Sequence, residues 1–335
     1  AVGGVDFLTG GYPAEYGDRM SGVMDISTVT GTGENINSVA LSTLNARLYS
    51  EGSFNSDRGR WLVSARGWYP ATILESSGVT REDLLTDYYD LLAKVDHRVS
   101  ERSWLSGNIL LAYDNLTFQT QDAEEFERVK AQYRSYDLWL NLRTDWKPAL
   151  FSQTVLAGGR IRRDRTGSVI DIEEGTKEVD DHRDFDYVAL RQDWSYTVSD
   201  RHYLKWGINL KVQDSEYDYW NELVVTDPEI IGDGDPIVET TEVLTTPSGQ
   251  NYGAYLAHRF QAIEKIFVEL GLRWDHQTFT DESQLSPRVN LLYEANPRTQ
   301  LRFAWGRFHQ SQRLNELLIE DGDTQFYPAQ RAEHW

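Results

Sequence analysis

From Leu204 the chain alternates without interruption: Leu204, Trp206, Ile208, Leu210 and Val212 are apolar, while Lys205, Gly207, Asn209, Lys211 and Gln213 between them are polar or small. The stretch from Ile266 repeats the pattern, with Ile266, Val268, Leu270, Leu272 and Trp274 set against Phe267, Glu269, Gly271, Arg273 and Asp275. A period of two places the two sets on opposite faces of a sheet. Strands of soluble sandwiches average about 5–6 residues. These run roughly twice as long, near the ~9–11 residues of a tilted strand that crosses a bilayer. The apolar face then meets lipid and the charged face lines a lumen. The pattern predicts an all-β fold, an antiparallel transmembrane β-barrel.

Strands are predicted at 46–54, 60–69, 88–99, 103–117, 131–146, 151–166, 183–199, 203–219, 249–262, 266–279, 286–295 and 299–309. Short connections such as 100–102, 147–150 and 200–202 alternate with long ones at 70–87, 118–130, 167–182, 220–248 and after 310, as periplasmic turns and external loops do. That parity requires one more strand near 36–42, about thirteen in all. An odd number in an antiparallel wall cannot close on itself, and 331–335 reads as entry into another strand, so an incomplete barrel is expected. Residues 1–35 differ, being rich in Gly with short strand-like pieces at 5–8 and 23–27. They read as the end of a separate compact domain, with 36–335 as barrel wall.

Mean hydropathy is -0.55, which would be low for a helical membrane protein. A barrel needs apolar residues only at alternate positions, so its average stays hydrophilic. The longest clear apolar stretch, 109–113, falls far short of the ~18 residues of a spanning helix. Among 11 Trp and 18 Tyr, the residues Trp68, Tyr69, Tyr88, Tyr89, Trp104, Trp146, Tyr219 and Trp220 fall near strand ends, where aromatic girdles form at membrane interfaces. With 33 basic and 53 acidic side chains the net charge is -20, which disfavours nucleic acid as a partner. Without cysteine there are no disulfides, thiol catalysis or Cys-ligated metals. The opening Ala1-Val2-Gly3-Gly4 has no signal-peptide character, so the start is expected to be internal or processed.

The run Gly10-Gly11-Tyr12-Pro13-Ala14-Glu15-Tyr16-Gly17-Asp18-Arg19-Met20-Ser21-Gly22-Val23-Met24-Asp25-Ile26 closely resembles the end of the plug domain in TonB-dependent outer-membrane receptors. Ser286-Pro287-Arg288-Val289 and Trp305-Gly306-Arg307-Phe308-His309-Gln310 are similar to barrel segments of that family. The resemblance implies a barrel of about 22 strands closed by an N-terminal plug. It further implies energy-coupled uptake of a scarce substrate, such as an iron chelate, cobalamin or oligosaccharide, across the outer membrane of a Gram-negative-type bacterium. The partners so implied are outer-membrane lipid, the TonB energy-transducing complex acting through a further N-terminal region, and the substrate itself. In that family charged plug residues pair with wall residues of opposite sign. Glu15 and Arg19 are candidates on the plug side, and Arg66, Glu269 and Arg273 on the wall, with Lys94, Asp96, Arg143 and Asp145 as further inward-facing charges.

The stretch 214–242 holds ten Asp or Glu and no Lys or Arg, and 167–182 is also acidic. Asp227-Pro228-Glu229 and Gly232-Asp233-Gly234-Asp235-Pro236 lack the calcium-loop spacing and read as solvated turns. A negative mouth would disfavour anionic ligands and concentrate cations or metal complexes. The seven His are scattered without a metal-binding pattern, and neither a phosphate loop nor a nucleophile elbow occurs. No catalytic residue, cofactor or metal is expected, and the chain reads as a non-enzyme. The rivals are a passive outer-membrane barrel and a soluble secreted β protein that binds glycans through aromatic platforms.

Overall fold

The structure, a computed structural model, describes the chain outside residues 1, 30, 57, 71, 72, 74, 75, 77–84, 122–124, 172–174 and 233. The predicted connection 70–87 therefore lies largely outside the described residues, as do Asp233 and the acidic tip at Glu173 and Glu174. Two strands, β1 (Val2–Leu8) and β2 (Val23–Thr28), pair antiparallel as a small separate sheet. The rest is one large antiparallel sheet. Its first members are β3 (Ile36–Leu41), β4 (Asn45–Phe54), β5 (Gly59–Trp68), β6 (Leu85–Ser100), β7 (Ser103–Gln121), β8 (Glu125–Lys147), β9 (Leu150–Asp171), β10 (Gly175–Ser199) and β11 (His202–Val225). After a helical turn, α1 (Pro228–Ile231), come β12 (Ile237–Thr245), β13 (Ser248–Ile263), β14 (Ile266–Gln277), β15 (Glu282–Asn296), β16 (Thr299–Gln310) and β17 (Gln330–His334).

Nearly every strand pairs with its sequence neighbour, so the wall is an up-and-down meander whose outer members, β3 and β17, do not meet. The sheet is open. Strands β12 and β13 lie on the same edge of β11 in one continuous register, Tyr217↔Thr245 leading on to Asp214↔Ser248. They are one wall strand interrupted at Pro247, which has no N–H to give to a ladder; its carbonyl still accepts from the Ser215 N–H at 2.9 Å. The fifteen strands of the sheet thus make fourteen wall strands among the described residues. The sequence reading of about thirteen strands, with entry into another at 331–335, matches this count once β17 is included.

Polarity across this wall is inverted relative to a soluble protein. Leu138, Leu140 and Leu142 on β8, Ile208, Leu210 and Val212 on β11, and Leu270, Leu272 and Trp274 on β14 are all exposed. On the other face Gln213, Arg273, Gln277, Gln284 and Arg288 are buried, with Arg273 and Arg288 each only 4% exposed. Apolar residues outside and guanidinium groups inside suit a wall with lipid on one side and a polar lumen on the other. Toward the short-turn end, Trp146, Trp194 and Trp206 form a stacked row with ring centroids 5.9 and 6.2 Å apart. Such amphipathic rings suit the headgroup level.

Three predicted loops are in large part strand. The stretches 118–130 and 167–182 extend β7 to β10 as paired hairpins, and 220–248 is taken up at both ends by β11 and β12. The period-two signal misses them because the outer face there meets water in place of lipid, so polar residues are tolerated on it as well. Strand β10 has 25 residues. At about 3.3 Å per residue and a tilt of about 40° it rises roughly 60 Å, twice the ~30 Å hydrocarbon layer. The surplus stands clear of the membrane at the long-loop end. Tyr219, read as a girdle residue, instead turns inward and is buried with Tyr217 and Val243.

Candidate functional site

Residues 10–19 form a compact turn pressed against the inner face of β14 to β16, and small residues permit the approach. Gly11 has φ +60°, and a Cβ there would meet the Ala304 Cβ at 2.5 Å. A left-handed backbone in so tight a space excludes any residue with a side chain. Pro13 accepts from the Tyr16 N–H at 3.2 Å, closing the turn, and the Tyr12 hydroxyl donates to the Arg19 carbonyl across its ends. Gly17 lies flat on the Arg273 guanidinium, where an added Cβ would sit 1.9 Å from Nε.

Two wall arginines hold this turn through its carbonyl groups. Arg288 donates to Tyr12 O at 3.1 Å and also to Pro13 O, with its guanidinium over the Tyr12 and Phe308 rings at 5.0 and 4.6 Å. Arg273 is oriented by Asp275 at 2.7 Å and donates to Ala14 O at 3.3 Å and Glu15 O at 3.2 Å. The Glu15 carboxylate adds an ion pair with Lys205 and a longer one with Arg191 at 3.7 Å. Arg191 is itself oriented by Asp193 at 2.6 Å, whose other oxygen accepts from the Tyr255 hydroxyl at 2.6 Å.

The sequence candidates fall into two groups. Glu15 and Arg273 stand at this junction, as described. Glu269 lines a cavity of about 150 Å³ beside Pro13 and Glu15 and accepts from Asn290 at 3.3 Å. Arg66 is elsewhere, pairing with Asp90 on the adjacent strand at 2.6 Å. Arg19 reaches no wall carboxylate among the described residues: it donates to Asp18 O at 2.6 Å and lies 3.9 Å from the Asp18 carboxylate. Lys94 lies 3.5 Å from Thr28 Oγ1 and from Val29 O. Arg288, Lys205, Arg191 and Asp18 were not singled out from sequence. For the first three the available signal was their place among inward-facing alternate positions.

A cleft of about 620 Å³ opens above the turn, between it and the inner faces of β10 to β15. Its far side is formed by residues 311–313, the start of the segment 311–329 that joins β16 to β17. This segment is a strap across the lumen side of the projecting hairpins. Its first backbone N–H, at Ser311, donates to Asp18 Oδ1 at 2.7 Å. Farther along, the Tyr217 hydroxyl donates to Leu314 O at 2.6 Å and accepts from the Leu317 N–H at 3.2 Å, while Leu317 and Ile319 pack with Tyr217, Tyr219 and Val243. Glu320 pairs with Arg183 at 2.6 Å and Arg165 at 3.4 Å, and both arginines also bind the fully buried Asp181. Burial opposes ionisation of Glu320, but its backbone hydrogen bond and the adjacent Arg183 and Arg165 hold its pKa below the ordinary carboxylate value.

A family profile described as "TonB dependent receptor-like, beta-barrel" matches residues 43–330. Among solved structures, the chain is similar to FpvA of P. aeruginosa in complex with a heterologous pyoverdine and iron, at 11% identity and TM-score 0.68, covering 98% of this chain and 49% of that one. It is also similar to BauA, the ferric preacinetobactin receptor of Acinetobacter baumannii (10% identity, TM-score 0.62, 93% and 53% covered). A third is the siderophore receptor PirA of the same species (14% identity, TM-score 0.62, 92% and 48% covered). The chain spans about half the length of these proteins. No curated protein matches it by sequence.

Proposed function

Because the chain belongs to the TonB-dependent receptor-like β-barrel family, we propose that it provides wall and stopper for energy-coupled uptake of a scarce solute, an iron chelate before other classes, across a Gram-negative-type outer membrane. The observation that carries this reading is the turn 10–19, seated on the inner wall by hydrogen bonds to its carbonyl groups and by the Glu15–Lys205 ion pair. Such contacts can be exchanged for water at modest net cost, unlike an apolar interface of the same size. A stopper held this way stays in place at rest and yields to a pull. In this reading substrate enters the cleft from the strap side, and force delivered by TonB rearranges the turn and opens a path along the polar inner face. Residues 1–35 act as the end of the plug and 36–335 as wall. The chain has no catalytic role in this scheme.

The test is uptake of radiolabelled ferric chelates by cells that carry the whole receptor, with and without TonB. Saturable uptake that is lost without TonB is expected. Non-saturable flux that does not depend on TonB would replace this reading with the passive barrel.

A further inference from the structure

Strand β12 continues the line of β13 along β11, but the adjoining hairpin stops short of it. Strand β14 ends at Gln277, opposite Asn251, and the chain turns at 278–281 into β15. Among the described residues β11 is therefore the sole ladder partner of Ile237–Thr245. The Ser215 N–H donates to Pro247 O, which fixes the phase of the continuous register beyond it. The backbone groups of Ile237, Glu239, Thr241, Val243 and Thr245 face β11. Those of Val238, Thr240, Glu242 and Leu244 point the other way, to an edge with no hydrogen-bonded partner among the described residues.

A free edge invites another strand, and proteins ordinarily blunt it with proline, lysine, a bulge or a very short strand. Strand β12 has none of these: its nine residues pair without a bulge and contain neither Pro nor Lys. They are rich in Ile, Val and Thr, which suit a pleated surface, and span about 30 Å at ~3.3 Å per residue. The charge around the edge has one sign. From Val212 to His258 the chain carries ten carboxylates and no Lys or Arg. Glu239 and Glu242 on β12, and Glu222 opposite Thr240 on β11, have no ion pair among the described residues. Two copies of this edge would bring like charges together, which disfavours self-pairing. Val238 and Leu244, nearer the two ends, are exposed apolar side chains.

We propose that the free edge of β12 receives an extended, cationic peptide segment by strand addition. The outward N–H and C=O groups of Val238, Thr240, Glu242 and Leu244 supply the ladder, which any sequence can meet. Side chains supply the choice. Glu222, Glu239 and Glu242 select basic residues in the middle of the added strand, and Val238 and Leu244 accept apolar ones toward its ends. The strap packs against β12 through Val243, on the inner face, and leaves this edge open. The edge stands on the projecting rim and does not line the cleft above the turn, so the site is separate from any path for a solute and independent of the uptake reading.

The test is titration of the whole receptor, in detergent, with a fluorescent peptide of alternating lysine and valine, joined to residue-resolved hydrogen–deuterium exchange. In the free receptor the amides of Val238, Thr240, Glu242 and Leu244 should exchange at least about tenfold faster than those of Glu239, Thr241 and Val243, and bound peptide should slow them to match. Thr240→Pro removes one outward donor and spares the pairing with β11, as an edge strand permits, and is expected to weaken binding about tenfold. Glu239→Gln with Glu242→Gln leaves the backbone intact and is expected to weaken it about fivefold at low salt. A peptide of alternating glutamate and valine should not bind. Peptide binding that leaves the four outward amides fast, or that Thr240→Pro does not change, is charge attraction alone and overturns strand addition. Outward amides already slow in the free receptor show that the edge is covered by another part of the chain or a second copy, which overturns it equally, as does a failure of the cationic peptide to bind.

Discussion

Replacing Arg288 by Met tests whether the turn 10–19 is held by hydrogen bonds to its carbonyl groups. The substitution keeps a long side chain packed over the Tyr12 and Phe308 rings, which touch each other at a centroid distance of 4.5 Å, and removes the donors to Tyr12 O and Pro13 O. Two charge-assisted hydrogen bonds are worth about 1.5–3 kcal/mol each, and the cation–π contacts add about 0.5–2 kcal/mol. Against this, Met no longer requires a guanidinium to be taken out of water, which returns several kcal/mol. The difference is about 2–4 kcal/mol of weakened docking. At about 1.4 kcal/mol per decade, the open form of the turn becomes roughly 30- to 700-fold more populated. Hydrogen–deuterium exchange of the whole receptor reads this directly: amides of residues 10–19 should accelerate by that factor in R288M while β14 to β16 keep their protection. Arg288→Lys, which retains the charge but not the fork, should fall in between. Unchanged exchange across 10–19 would refute the reasoning. Equal acceleration along β15 and β16 would show that Arg288 holds the wall together and not the turn.

Leu272→Arg, on the lipid face of β14, should cost about 2–4 kcal/mol in folding into bilayers if it sits near the midplane; a change near zero in urea titrations with vesicles would argue that this face meets water. Tyr217→Phe removes both hydrogen bonds that pin Leu314 and Leu317, so protease cleavage within 311–329 should quicken while the wall stays intact; unchanged cleavage would show that apolar packing alone secures the strap. His182 stands on the projecting part of β10 between Asp164 at 2.8 Å and Asp180 at 2.9 Å. Its pKa is raised first by the hydrogen bond to Asp164, against partial burial, with the charges of Asp180, Asp164 and Asp218 adding to the rise. The stability it contributes to the hairpin is therefore fully present below the ordinary histidine pKa and is lost as pH rises through the elevated one. An NMR titration should place its midpoint above 6.5, and Asp164→Asn should lower that midpoint. A midpoint at or below the ordinary value would contradict the geometry.

The membrane-crossing wall was legible in the sequence because lipid on one side and water on the other impose a period of two on every strand. The same alternation marked Arg273 and Glu269 as inward-facing, and the glycine-rich composition of 1–35 set that stretch apart from the wall. The projecting hairpins were not legible, since water in place of lipid on the outer face blurs the alternation, and only backbone pairing shows that 167–182 is strand. The sequence alone determined which face each wall residue takes, since that follows from the pleat and the solvent. Which inward charges meet was decided by the tertiary structure. Glu15 finds Lys205, 190 positions away, and Arg66 turns to Asp90 on the next strand. Charge pairing depends on distances of a few ångströms set by register and by how the turn is seated, and those distances belong to the folded chain alone.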